Sequence, residues 1–86
     1  MGAVGRWFVT PHAVRRYIER VDRTADYDTA LAYLVSQSEV AHPVKQIEPG
    51  VWLYRGTKPR RLRFRVSTRG PGLPQLVTVL SAFDTR

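Results

Sequence analysis

The sequence predicts a two-layer α+β domain in which two N-terminal helices pack on an antiparallel sheet of three to four strands, in the order β-α-α-β-β-β. Three observations predict it. Apolar residues recur at helical spacing in the first half of the chain and alternate with period two in the second. The 86 residues suffice for one domain, taken as 1–86, with a thin core. Sequential strands with short links favour an antiparallel meander, and amphipathic helices bury their apolar stripes against one face of it.

Residues 7–10 form a short β-favouring run that reads as a strand. Thr10 and Pro11 then supply an N-cap and an N1 proline, a strong helix start. Val14, Tyr17, Ile18 and Val21 follow at i, i+3, i+4 and i+7, one arc of a helix. His12, Arg15, Arg16, Glu19 and Arg20 fill the opposite arc, so the polar face is mostly cationic. A second helix begins near Asp26, with Asp26 and Asp28 at the positive end of the helix dipole. Tyr27, Ala30, Leu31, Leu34, Val35 and Ser38 share its buried face. That helix should fade at 38–40, because Pro43 disfavours helical geometry at His42.

From Val44 the period changes. Residues 44–47 read as a weak strand, Glu48-Pro49-Gly50 as a type II turn and 51–55 as a strand. Residues 56–59 are the next turn. Residues 61–67 alternate cleanly, with Leu62, Phe64 and Val66 to one side and Arg61, Arg63 and Arg65 to the other. Two Gly and two Pro make 68–74 a loop. The apolar run 76–80 reads as a central strand with much of both sides covered, and 81–86 as a tail or an extra turn.

Charge is the most informative part of the composition. Residues 1–50 carry six cationic and six acidic side chains. Residues 51–86 carry eight cations against Asp84 alone, so the whole net charge of +7 lies there. Twelve of the 14 basic residues are Arg, which recognises phosphate and carboxylate through two parallel hydrogen bonds. A one-sided charge of this kind fits RNA, another polyanion, or an acidic protein surface. The competing reading is a generic basic surface. A hydrophobic fraction of 43% excludes a disordered chain, and no apolar run approaches a membrane span. Without an apolar secretory signal the chain is expected to be cytoplasmic. Zero cysteines and two histidines exclude disulfides and thiolate metal sites and argue against structural zinc. No phosphate-cradling glycine loop, zinc-protease motif or nucleophile elbow occurs, so neither a cofactor nor a catalytic metal is expected.

The strongest local signal is the row Arg61, Arg63 and Arg65, spaced by about 6.6 Å along a strand. Like charges in a row cost stability unless an anion screens them. A solvated outer face is the alternative. Trp52 and Tyr54 would make a base-stacking platform if they shared that face, with Arg55 beside them; core packing is the alternative for both. His12, at the start of the first helix, is a candidate general base, with Arg16 one turn on to hold a phosphate. His42, beside a proline, reads as structural or exposed. The second helix exposes Asp28 and Glu39 but no cation, which disfavours a helix-turn-helix.

The run from Thr10 to Val21, with a His-Ala pair followed by Arg16 and Arg20 at successive turns, resembles the first helix of BrnT and, more remotely, of RelE-type toxins, small bacterial and phage proteins. The element order resembles them over most of the chain; helix 1 and the last strand, Leu76-Val77-Thr78-Val79-Leu80, match at residue level. The resemblance implies metal-independent endoribonuclease cleavage of messenger RNA and neutralisation by an antitoxin. It maps His12 to the family histidine, Arg16 and Arg20 to its helix arginines, and Arg63 and Arg65 to its basic sheet residues. The sequence departs from the pattern after the last strand, where Ser81 to Arg86 hold neither Tyr nor His; that bears on catalysis more than on binding. Two function classes follow. One is an RNA-directed, toxin-like module that uses His12, Arg16, Arg20, Trp52, Tyr54, Arg55, Arg61, Arg63 and Arg65. The other is a non-enzymatic, phage-type inhibitor that binds the acidic surface of a host nucleic-acid-processing or defence protein.

Overall fold

A computed structural model describes residues 3–4, 6–57 and 61–80. Its elements are β1 (Ala3–Val4), β2 (Phe8–Val9), α1 (Pro11–Arg20), α2 (Tyr27–Val40), β3 (His42–Glu48), β4 (Val51–Arg55), β5 (Arg63–Ser67) and β6 (Gln75–Leu80). The expected α+β class is what the chain adopts: two helices cover one face of one sheet.

Both helices start where their caps place them. The Thr10 hydroxyl accepts from the Ala13 N–H (3.2 Å) and donates to the Leu76 carbonyl (2.9 Å), tying the start of α1 to β6. The Asp26 carboxylate accepts from the Thr29 N–H at 2.7 Å and caps α2. That bond holds the Asp26 carboxyl below its ordinary value of 3.8. Val14 and Tyr17 are buried, as their spacing predicts, and Ala13 joins them. On α2 the buried stripe is Ala30, Leu34, Gln37 and Ser38. Among the described residues no helix is long and apolar enough to cross a membrane.

The sheet has six strands in the order β1-β2-β6-β5-β4-β3. Strands β3 to β6 form the expected antiparallel meander. The sheet as a whole is mixed, because β2 runs parallel to β6. β2 falls within the strand expected at 7–10, but it pairs parallel with β6, which departs from the expected all-antiparallel sheet. β1 is an addition to the expected three to four strands; at two residues it is too short for a period to register, and it pairs with β2.

The core lies between the helices and the inner face of β2, β6, β5 and β4. Phe64 and Val66 point inward from β5, and Leu76 and Val79 from β6, all with no exposure. Leu76 and Val79 are three residues apart, which strict alternation would send to opposite faces. Val77 is a bulge: Arg65 pairs with Thr78 and Val66 with Leu76, so the extra residue resets the phase. β6 is central, as predicted, yet not covered throughout: Gln75 is exposed, Thr78 and Leu80 are half-buried, and Val77 is 40% exposed. Trp7 is 2% exposed and fills the space between the layers, its ring 5.0 Å from Tyr54 and 5.3 Å from Phe64. β3 lies at the sheet edge and every residue of it is exposed. The predicted tail 81–86 and residues 58–59 of the predicted turn 56–59 lie outside the described residues.

Candidate nucleic-acid interface

Directly opposed residues of an antiparallel pair share a face. The register therefore fixes the composition of the sheet's outer side. One row across it reads His42, Arg55, Arg63, Leu80. The next reads Lys45, Leu53, Arg65, Thr78, and the third Glu48, Val51, Ser67, Gln75. Among the described residues the first two rows carry cations and no carboxylate. Arg55 stands opposite Arg63, a like-charge pair that is unfavourable until an anion lies between the two.

Among the described residues the ion pairs are Arg6–Glu39 at 3.7 Å, Arg16–Glu19 at 3.2 Å and Arg69–Glu48 at 3.3 Å. None involves Lys45, Arg55, Arg61, Arg63 or Arg65. Glu48, the one acidic residue of the three rows, is engaged by Arg69 at the far end of the face.

Arg61 departs from the expected strand. β5 begins at Arg63, and Arg61 sits before it in the left-handed region, φ 48°. Its N–H donates to the Thr57 carbonyl (3.0 Å), the Gly56 N–H donates to the Leu62 carbonyl (2.8 Å), and Arg63 Nη1 donates to the Arg61 carbonyl (3.3 Å). Gln37 of α2 clamps the same connection. Its Oε1 accepts from the Thr57 N–H and its Nε2 donates to the Thr57 hydroxyl, both at 3.0 Å. Above this frame lies a cleft of about 410 Å³ lined by His42, Arg55, Gly56, Thr57, Arg61 and Arg63.

The remaining candidates lie elsewhere. Trp52 pairs with Val66 and Tyr54 with Phe64, so both aromatics face the helices. The expected stacking platform among the arginines is thereby corrected: the register commits Tyr54 to the core against Trp7 and leaves Trp52 half-buried on the same side. His12 and Arg16 are brought together, with Arg16 Nε donating to His12 Nε2 at 3.4 Å and Arg16 Nη1 holding Glu19. They lie on α1, which packs on β6 from the core side, so the sheet separates them from Arg63 and Arg65. Arg20 Nη1 reaches the Val79 carbonyl at 3.5 Å. His42 is the residue that sequence reasoning passed over. Its cross-strand pairing with Arg55 is the signal that singles it out.

No family model, curated protein or solved structure matches the chain.

Proposed function

We propose that the protein is an RNA-binding module that holds the phosphate backbone on the outer face of its sheet. One observation carries the reading. Lys45, Arg55, Arg63 and Arg65 stand on three adjacent strands of an open face, and none has a carboxylate partner among the described residues. A like-charged array of this kind is stabilised by a polyanion, and guanidinium groups suit phosphate oxygens. The resemblance of the first helix to toxin-type ribonucleases favours RNA as that polyanion. With the aromatics turned inward, contacts go to phosphates rather than to bases, and weak sequence preference follows. Binding is favoured over cleavage. Acid–base catalysis needs its groups within reach of one phosphate, and His12 and Arg16 are across the sheet from these cations.

The test is fluorescence anisotropy with a short single-stranded RNA across a salt series. Four phosphate contacts predict a slope of about −3 in log affinity against log salt. Arg65→Ala should reduce that slope by about 0.7, whereas Arg15→Ala, on α1, should leave it unchanged. Absence of binding at low salt overturns the proposal. So does a stoichiometric complex with an acidic protein that survives nuclease treatment while RNA fails to bind.

A further inference from the structure

The cationic cleft at the end of β4 differs from the rest of the face in three ways. It concentrates charge: Arg55, Arg61 and Arg63 line it with His42, and among the described residues no acidic side chain does. Further along the face, by contrast, Lys45 and Arg65 are separated by Leu53. Its edge is anchored: Gln37, only 6% exposed, gives both ends of its amide to Thr57. The Gly56–Leu62 and Thr57–Arg61 backbone bonds tie these four residues to one another. It also contains the one described non-glycine residue with a left-handed backbone, Arg61, a conformation that persists only where surrounding bonds enforce it. Thr57 and the Arg61 backbone are thus fixed before any ligand arrives, which reduces the ordering that binding requires at this edge of the cleft.

Charge matching indicates what it receives. An internal phosphodiester brings a single negative charge. A terminal phosphate monoester brings about 1.5 to 2 charges at neutral pH and three oxygens that accept from several guanidinium groups at once. The cleft opens at the end of the sheet, and from Arg63 the row continues along β5 to Arg65, a path for the strand attached to that phosphate.

We infer that the cleft bounded by His42, Arg55, Arg61 and Arg63 is a receptor for a phosphate monoester, the phosphorylated end of an RNA strand whose body lies along Arg65 and Lys45. The inference rests on the RNA-binding reading for the identity of the strand and adds recognition of its terminus. The shared chemistry is the monoester, which a 5′ or a 3′ end supplies equally.

The experiment compares RNAs of one short sequence with a 5′-phosphate, a 3′-phosphate or hydroxyls at both ends, together with a free nucleoside 5′-monophosphate, on the full chain. At least one phosphorylated end should bind about tenfold or more tighter than the hydroxyl-ended strand, a gap of about 1.4 kcal/mol. Arg61→Gly should abolish that advantage. It removes the guanidinium while keeping the left-handed backbone free of steric strain. Arg55→Gln, at an exposed site, gives an independent check that does not touch that backbone. Arg65→Ala should weaken all three strands alike and keep the advantage. If the three strands bind within twofold of one another, the receptor is overturned while RNA binding stands. If no strand binds yet the mononucleotide does, in an Arg61-dependent manner, the receptor stands and the RNA reading falls.

Discussion

Gly56 lines the cleft with no side chain, and Gly56→Ala tests whether the cleft is built on the packing described. A Cβ placed there lies 2.8 Å from Gln37 Oε1 and 2.8 Å from Phe64 Cε2, whereas ordinary contact begins at 3.4 Å. Neither neighbour yields freely. Phe64 has no exposure and lies against the Trp7 ring. Gln37 can move only by releasing the Thr57 N–H. Overpacking of a filled core costs about 1–3 kcal/mol, and an orphaned N–H adds about 1–3 kcal/mol. A central value of about 3 kcal/mol corresponds to a drop in Tm of about 12–24 °C for a domain of this size. Gly70→Ala is the internal control. Its Cβ meets nothing within 4 Å and its φ is not positive, so stability should be unchanged or slightly raised. Urea denaturation followed by tryptophan fluorescence reads both variants. A Gly56→Ala protein within about 1 kcal/mol of wild type would refute the packing argument, since overpacking alone exceeds that.

Three further outcomes are expected. Ser38→Ala removes the hydroxyl that accepts from the Arg6 N–H at 3.0 Å and donates to Val35, at a site 2% exposed; the orphaned donor should lower stability by about 1–3 kcal/mol in urea titration. Because the Thr29 N–H lowers the Asp26 carboxyl below 3.8, the cap's contribution is present above that pH and lost as pH falls through the folded-state value; between pH 5 and pH 2 wild type should lose more stability than Asp26→Asn, and parallel curves would contradict the assignment. Trp52→Gln, on the helix-facing side, should leave RNA affinity within about twofold in anisotropy, since it removes no phosphate contact.

Much of the fold was legible because two periods and two caps are local features. Thr10, Pro11 and Asp26 fix helix starts within a few residues, and the Leu62–Val66 alternation fixes which side of β5 is core. The site was less legible because it depends on register, which is set between strands. Uninterrupted pairing from the Pro49-Gly50 turn, which sets Glu48 opposite Val51, would bring Val44 opposite Arg55. The irregularities at Val44 and Ile47 shift the strand and bring His42 there instead. Period counting places no constraint on such bulges. The same dependence decides Trp52 and Tyr54, whose face follows from pairing with Val66 and Phe64. The clamp by Gln37 was invisible for a different reason: a glutamine on a helix reads as exposed until the loop that it holds is known.

The side-chain Nε–Hε signals of arginine report each guanidinium separately, and their NMR titration with a short single-stranded RNA tests the anion-binding face most directly. The signals of Arg55, Arg63 and Arg65 should shift together and saturate with the RNA, while those of Arg15 and Arg16 on α1 stay in place. Shifts confined to Arg15 and Arg16, with the sheet arginines unmoved, would contradict the account.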